Sequence, residues 1–375
     1  MAAQIITNAG PKVVLAPMVR IGELPTRLVS LHYGADAVWG PEIVDKKLIQ
    51  CKRVVNEAID CVDYYAPSKN AGGEVLVFRT HPVETKCLTF QIGTADPALA
   101  VQAAKIVAPD ISIIEVNAGC PKHFSVHSGM GAGLLKDIPK LVAILTALVE
   151  EVGKPYGIGV AVKTRLLDDE QATQDMIRKL CRTGIKRLTI HCRTTPMRNT
   201  ERALRERLAG VAKVCREEGV LIYGNGDVED RKHAVEIAKE YDVDGLMIAR
   251  AAERNPSCFR EEGVLPPLEV AKTYLKTAME VDNPFPNTKY CLQQILAGMS
   301  KSGIYKKFHG MKTFKDLAAL LDVEYHEKPA ERVSAVRRAN SAVVRAAGGD
   351  TAKDVARAAT KEAVEKGECA AYAEA

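Results

Sequence analysis

The chain has 375 residues, 47% hydrophobic and 26% charged, a balance that lets a globular protein bury a large core and excludes disorder over most of its length. No window approaches the roughly 18 consecutive apolar residues of a membrane span. The opening MAAQIITNAGPKVVLAPM lacks a basic region, apolar stretch and cleavage site, so the expected location is cytoplasmic, with a nuclear or mitochondrial pool left open. Lys and Arg number 52 against 47 Asp and Glu, and the resulting +5 is too mild to imply a nucleic-acid partner by its sum.

From the N-terminus, short apolar runs alternate with helical patterns. The runs are Val13 to Ala16, Ala37 to Trp39, Leu88 to Gln91, Ile113 to Val116, Gly159 to Val162, Arg187 to Ile190, Leu221 to Tyr223 and Gly245 to Ile248. Between them, Pro97 to Val107, Ile138 to Glu151, Asp169 to Thr183 and Asp230 to Glu240 repeat their apolar residues at three and four. Alternation of strand and helix predicts a parallel sheet, and eight repeats over about 250 residues predict an α/β fold, a closed (β/α)8 TIM barrel. Val75 to Phe78 reads as one inserted strand. After Arg250, Asn255-Pro256 and Pro266-Pro267 punctuate the chain and only helical patterns follow, which predicts a smaller all-α helical domain. The expected domains are a barrel at 1–263, the helical domain at 264–326, and an extension rich in Ala and charged residues at 327–375, helical or flexible.

The whole basic excess sits late in the chain. Leu268 to Lys315 carries eight lysines against Glu269, Glu280 and Asp282, which is +5, so the remainder sums to zero. Tyr274, Phe285, Tyr290, Tyr305, Phe308 and Phe314 lie among them. Lysine with interleaved aromatics suits a nucleic-acid surface. The plainer reading, which composition alone favours, is a solvated helical bundle with an aromatic core.

Ten cysteines are scattered with no C-x-x-C pair, which argues against zinc ribbons and iron–sulfur clusters. His123 and His127 stand four apart but lack a third ligand, so no metal is expected. Barrel enzymes carry their chemistry at the C-terminal ends of strands. Those ends here give Pro17-Met18, Glu42, Gln91, Asn117 with Cys120, Lys163 with Arg165, His191 with Arg193, Asn225-Gly226-Asp227, and Arg250. Gly226 with Arg250 one strand later suits a phosphate, and that corner would direct a flat cofactor across the mouth, within reach of Gln91, Lys163 and His191. A lysine beside such a ring would stabilise charge gained on reduction. Taken singly, His191 also reads as a hydrogen-bonded structural histidine and Lys163 as a surface cation. Cys120, in Asn117-Ala118-Gly119-Cys120-Pro121-Lys122 ahead of the glycine-rich Ser128 to Leu135, suits a general acid, since a free thiol, with a reference pKa of about 8.5, is mostly protonated at neutral pH. A nucleophile or an inert thiol are the alternatives, the first without an evident base and the second disfavoured by the flanking Gly and Pro.

These residues resemble the flavin-dependent tRNA-dihydrouridine synthases, from Leu15 to about Met299. The resemblance rests on LAPMVRIGELPTRL, IQCKRVVNEAIDCVDYYAP, FQIGTADP, EVNAGCPK with GMGAGLL, VKTR, TIHCRT, YGNGD and MIARAAERNP, while DNPFPNTKYCL resembles the eukaryotic class acting on the position-20 uridine. It implies an FMN-containing barrel reduced by NADPH, with NADH possible, and a helical domain that helps hold tRNA at its D-loop and elbow. Hydride from the reduced flavin would reach C6 of uracil and Cys120 would supply the proton to C5. The resemblance carries FMN binding onto Pro17, Met18, Gln91, Lys163, His191, Asn225, Gly226, Asp227, Ala249 and Arg250, and substrate contact onto Asn117, Lys122 and Arg193. A monomer with no metal and no membrane is expected. The departures are Glu23 and Trp39-Gly40-Pro41 before Glu42, expected to alter the mouth of the site, and a tail in which no double-stranded-RNA-binding domain is evident. Two other readings stay open: an FMN-dependent reductase of a free pyrimidine, akin to dihydropyrimidine or dihydroorotate dehydrogenases, and a non-catalytic tRNA-binding chaperone.

Overall fold

The structure, a computed structural model, describes residues 10–68 and 73–325. The extension expected at 327–375 lies outside the described residues. The described strands are β1 (Lys12–Leu15), β2 (Val38–Trp39), β3 (Ile43–Val44), β4 (Lys52–Asn56), β5 (Cys61–Pro67), β6 (Glu74–Thr80), β7 (Leu88–Gly93), β8 (Ile113–Ala118), β9 (Gly159–Arg165), β10 (Arg187–His191), β11 (Leu221–Asn225) and β12 (Gly245–Ile248).

Eight of them run parallel in the order β1-β12-β11-β10-β9-β8-β7-β2. A lone bridge, Val14 to Ala37, joins the ends into a ring, with Leu15 N–H donating to Ala37 O at 3.1 Å and Asp36 N–H to Val13 O at 2.9 Å. These are the eight runs read from the sequence. Side chains alternate along each strand. Phe90, Ile92, Ile114, Val116, Val160, Val162, Leu188 and Ile190 face outward and pack in one core with Ala104, Leu141, Ile144, Ile177 and Leu180 of the surrounding helices. Gln91, Glu115, Asn117, Lys163 and His191 therefore point inward, since a slip of one residue would put each of those aliphatics in a polar barrel and each polar group against a helix. At about 1.5–3 kcal/mol per buried aliphatic, the register is strongly set.

The helices begin where an aspartate can accept their free N–H groups. Asp96 accepts from Leu99 at 2.9 Å, Asp169 from Ala172 at 2.6 Å and Asp230 from His233 at 2.9 Å, at the starts of Pro97–Val107, Glu170–Cys181 and Arg231–Tyr241. Each such cap is worth about 1 kcal/mol.

The insertion is larger than the sequence reading: β4, β5 and β6 form a three-stranded antiparallel sheet between β3 and β7. Two of its strands escaped notice for opposite reasons. β4 is an exposed edge opening with Lys52-Arg53, which reads as loop, and in β5 the apolar run is broken by Asp63, a buried carboxylate paired with Arg79 at 2.8 Å. Arg27 anchors this sheet to the barrel's first helix, Leu24–His32. Its guanidinium meets Glu84 at 2.8 and 2.7 Å and donates to Gly22 O and Arg79 O at 2.6 and 2.7 Å, with both charged side chains fully buried.

From Pro267 the described chain holds helices and no strand: Pro267–Glu280, Phe285–Leu296, Gly303–Phe308 and Phe314–Leu321 are the longer ones. Their core, built on Val270, Leu275, Leu292 and Leu317, also takes in Ile21, Val29 and Tyr33 from the barrel side. The described residues accordingly form one compact unit, and Gly263, where the boundary was expected, is a turn at φ 96°. Tyr274, Phe308 and Phe314 are buried in that core, while Lys276, Lys301, Lys306, Lys307, Lys312 and Lys315 are exposed. Of the two readings of this segment, the aromatic core is correct for those three rings, and the lysines form its outer surface. No described helix is long and apolar enough to cross a membrane.

Candidate active site

A cavity of about 740 Å³ opens at the C-terminal ends of the barrel strands. Pro17, Met18, Gln91, Asn117, Cys120, Lys122, Lys163, His191, Arg193, Asn225, Gly226, Asp227, Ala249 and Arg250 all line it. Each was singled out in the sequence, and the ring of strands brings every one to a single mouth.

The loop after β8 carries Cys120. Asn117 shapes it: its Oδ1 accepts the N–H groups of Gly119 and Cys120 at 2.9 and 3.1 Å. Arg165 Nε donates to Gly119 O at 2.7 Å and Nη1 to Thr194 O at 3.2 Å, tying this loop to the one after β10. Gly131 closes it from the other side at φ 55°, where a Cβ would stand 2.4 Å from Ser125 Oγ and 2.7 Å from Cys120 O. Only glycine fits that approach. The thiol is thus held half-buried on a braced turn facing the cavity.

Electrostatics sort the remaining groups. Burial pushes the Lys163 ammonium down to about 8, Glu115 working against the shift and Arg165 with it. Burial, helped by Lys163, Arg165, Arg193 and Arg250, pushes His191 down to about 2, so its imidazole is neutral at ordinary pH. His191 Nδ1 is buried without a partner. Glu42, named as a strand end but not as a site residue, also lines the cavity, and burial raises its carboxyl against the opposing pull of Asn117 and Lys122.

At the ends of β11 and β12, Asp227 gathers the cations. Its carboxylate accepts from Arg193 Nη2 at 2.6 and 2.7 Å, from Ala203 N–H at 2.9 Å and from Arg250. Burial raises its carboxyl, but these partners outweigh it and hold the group below the usual carboxylate range. Gly226, at φ 134°, sits where a Cβ would lie 2.9 Å from Ala203 Cβ, so the loop holding Ala203 closes over a position that only glycine suits. Arg193, expected at a substrate contact, spends its guanidinium on Asp227 and on Glu201 O at 2.7 Å. It braces the loop from inside.

Trp39 is fully buried in the barrel interior, where its indole N–H donates to Glu115 at 2.9 Å, and it does not line the cavity. Glu23 does not line the cavity; it borders a separate cleft of about 120 Å³ beside Arg79 and Asn283. His123 and His127 stack at 5.6 Å between ring centroids, and among the described residues no three His, Cys, Asp or Glu side chains are grouped to hold a metal ion.

A family model described as dihydrouridine synthase matches residues 14–362. The chain belongs to the dihydrouridine synthase family. It is 51% identical over 331 residues to a Schizosaccharomyces pombe protein named tRNA-dihydrouridine(20) synthase, covering 88% of this chain and 68% of that one. A Saccharomyces cerevisiae protein of the same name is 46% identical over 330 residues, covering 84% of each chain. An S. pombe relative named for positions 20a and 20b is 27% identical over 249 residues, covering 66% of this chain and 68% of that one.

For a dihydrouridine synthase family member, the residues missed in the sequence lie one layer beneath the cavity. Glu115 is fully buried and accepts Trp39 Nε1 and Gln91 Nε2, each at 2.9 Å. Arg187 lies 3.9 Å from Glu115, with its guanidinium over the rings of Trp39 and Tyr223 at 4.2 and 5.1 Å. The available signal was a charged residue at the inward position of an otherwise apolar strand, as in Ile113-Ile114-Glu115-Val116.

Proposed function

We propose that this protein is a tRNA-dihydrouridine synthase that uses FMN and NADPH to reduce the C5–C6 double bond of the position-20 uridine in the D-loop. The observation that carries this reading is a thiol, a neutral imidazole and a lysine around one deep cavity: Cys120, His191 and Lys163. The residues present fit a flavin. The volume suits a flat cofactor with a base beside it. His191 Nδ1 is buried and unpartnered, and Arg250 with the Gly226 backbone stands where a phosphate would be held.

Pro17, Met18, Ala249 and Asn225 would seat the ring, with Gln91 and Lys163 at its polar edge and Asn117 and Lys122 toward the substrate. When bound, the flavin supplies the hydride that adds to C6. Cys120 gives its S–H proton to C5 as the double bond is consumed, and the thiolate left behind regains a proton from solvent. Lys163 stabilises negative charge on the ring side of the cavity. Asn117 and Arg165 hold the thiol in place, so positioning costs nothing at the moment of transfer.

A uridine stacked in folded tRNA reaches this mouth only by flipping out, at a cost of a few kcal/mol. The exposed lysines at 276, 301, 306, 307, 312 and 315 support the tRNA reading, since phosphate contacts fix the register of the RNA while its shape is recognised. A free pyrimidine needs no such surface.

The test is mass spectrometry of native tRNA lacking dihydrouridine after incubation with protein, FMN and NADPH. The expected gain is two hydrogens at one D-loop uridine, with the rate falling about 10²–10⁴-fold in Cys120→Ala while tRNA binding is kept. No gain with flavin-loaded protein overturns the tRNA assignment and directs the search to free pyrimidines. Turnover unchanged in Cys120→Ala removes the thiol from the mechanism.

A further inference from the structure

A chain of hydrogen bonds runs from the barrel floor to the loop of the thiol. Trp39 Nε1 and Gln91 Nε2 both donate to Glu115 Oε1, at 2.9 Å each. Asn117 Nδ2 donates to Gln91 Oε1 at 3.4 Å, and Asn117 Oδ1 accepts the Gly119 and Cys120 N–H groups at 2.9 and 3.1 Å. Glu115, Gln91 and Trp39 are at most 2% exposed, so the lower end of this chain is shielded from water while Gln91 and Asn117 border the cavity.

The direction of every bond in it is dictated at its ends. An indole nitrogen only donates, so Glu115 Oε1 is an acceptor whatever the protonation of the other oxygen. Gln91 must then turn its amino group down to Glu115. Backbone N–H groups only donate as well, so Asn117 must turn its oxygen to the Cys120 loop and its amino group back to Gln91. Two independent anchors, one indole and two peptide N–H groups, agree on a single orientation of the Gln91 amide. Its oxygen faces Asn117 and the cavity, and after one long bond from Asn117 it keeps a lone pair for a ligand N–H.

We propose that Glu115 is a positioning residue that fixes the Gln91 amide oxygen toward the cavity, as the acceptor for the N–H on the pyrimidine edge of the flavin, and that links this seat through Asn117 to the loop of Cys120. This rests on the flavin reading. Reversing the amide would present a donor to a donor, which a ring edge of the pattern carbonyl, N–H, carbonyl rejects. Beneath it, Arg187 lies 3.9 Å from Glu115 and pulls its carboxyl down against the larger rise that burial causes.

The test separates the acceptor from the charge and from the fold. Glu115→Gln keeps an oxygen for the indole and for Gln91. The pair Glu115→Met with Arg187→Met removes the acceptor without stranding a buried cation. FMN affinity of the apo-protein, read by quenching of flavin fluorescence, is expected within about threefold of wild type for the first and about five- to tenfold or more weaker for the second, the scale of one lost hydrogen bond. Thermal unfolding shows whether each variant is folded. In the unaltered protein, the Gln91 side-chain amide protons, assigned by their disappearance in Gln91→Met, should show nuclear Overhauser contact with the Trp39 indole proton, because both point at one oxygen. A folded double variant that binds FMN like wild type, equal losses in both variants, or absence of that contact overturns the proposal. Wild-type protein that fails to bind FMN overturns the flavin reading and this inference together.

Discussion

At the scale of single residues, Lys163 sets the working range of the site. Burial holds its ammonium at about 8, below the ordinary lysine value, so it is charged below that pH and loses its proton as pH rises through it. Turnover is expected to fall above pH 8, by up to about tenfold per unit, because the group proposed to stabilise the reduced ring becomes neutral. A pH profile of kcat/KM checks this, and Lys163→Met should be slow and flat across the same range. His191, held at about 2, adds no limb of its own between pH 5 and 9. Gly131 makes a separate prediction. Gly131→Ala places a methyl group against Cys120 O at a backbone angle unfavourable to alanine, so kcat should fall, and stability with it by about 1–3 kcal/mol, read from chemical denaturation.

At the scale of elements, the Asp227 carboxylate pins the segment between β10 and the next helix at Arg193 and Ala203. Asp227→Ala leaves Arg193, 2% exposed in its side chain, with a buried charge and no counterion, which typically costs about 3–5 kcal/mol. Denaturation midpoints should show the loss, with flavin affinity falling in parallel because Gly226 and Arg250 belong to the same clamp. Strand positions and strand ends were legible in the sequence because a barrel buries both faces of its strands, so each becomes an apolar run with its polar residues at the rim. The orientation of the rim was not. Nothing in the text of Arg193 separates a guanidinium that meets substrate from one that grips Asp227, since that depends on where the chain at Glu201 and Ala203 returns. In the inserted sheet, β4 and β5 escaped because an exposed edge opening on Lys52-Arg53 reads as loop and because Asp63, buried against Arg79, breaks the apolar run of β5.

Across the molecule, barrel and helices are joined by polar contacts as well as by a shared apolar core. Arg79 Nη1 donates to Val281 O and Asp282 O at 2.6 and 2.9 Å while the same guanidinium pairs with Asp63, so the inserted sheet and the helical segment share one side chain. Arg20, from the loop after β1, lies over the Tyr290 ring at 3.9 Å, and its carbonyl accepts from Asn287 at 2.6 Å. The lysine surface and the cavity thus belong to one compact unit. Replacing Lys301, Lys306 and Lys307 by Gln should lower the slope of log affinity for tRNA against log salt by up to about 2–3, and leave reduction of bound flavin by NADPH unchanged. An unchanged slope would place the RNA elsewhere.

The ring of strands is also uneven in its own strength. Between β9 and β10 five residue pairs face each other, whereas β1 and β2 meet at a single bridge. A barrel closed this way is expected to open first at its seam. The amide hydrogens of Leu15 and Asp36, which make that junction, should exchange for deuterium well before those of Leu188 and Ile190. Pro17 and Met18 continue directly from β1, so a ligand gripping them draws the seam shut, and protection at Leu15 becomes a reporter of cofactor loading that needs no turnover.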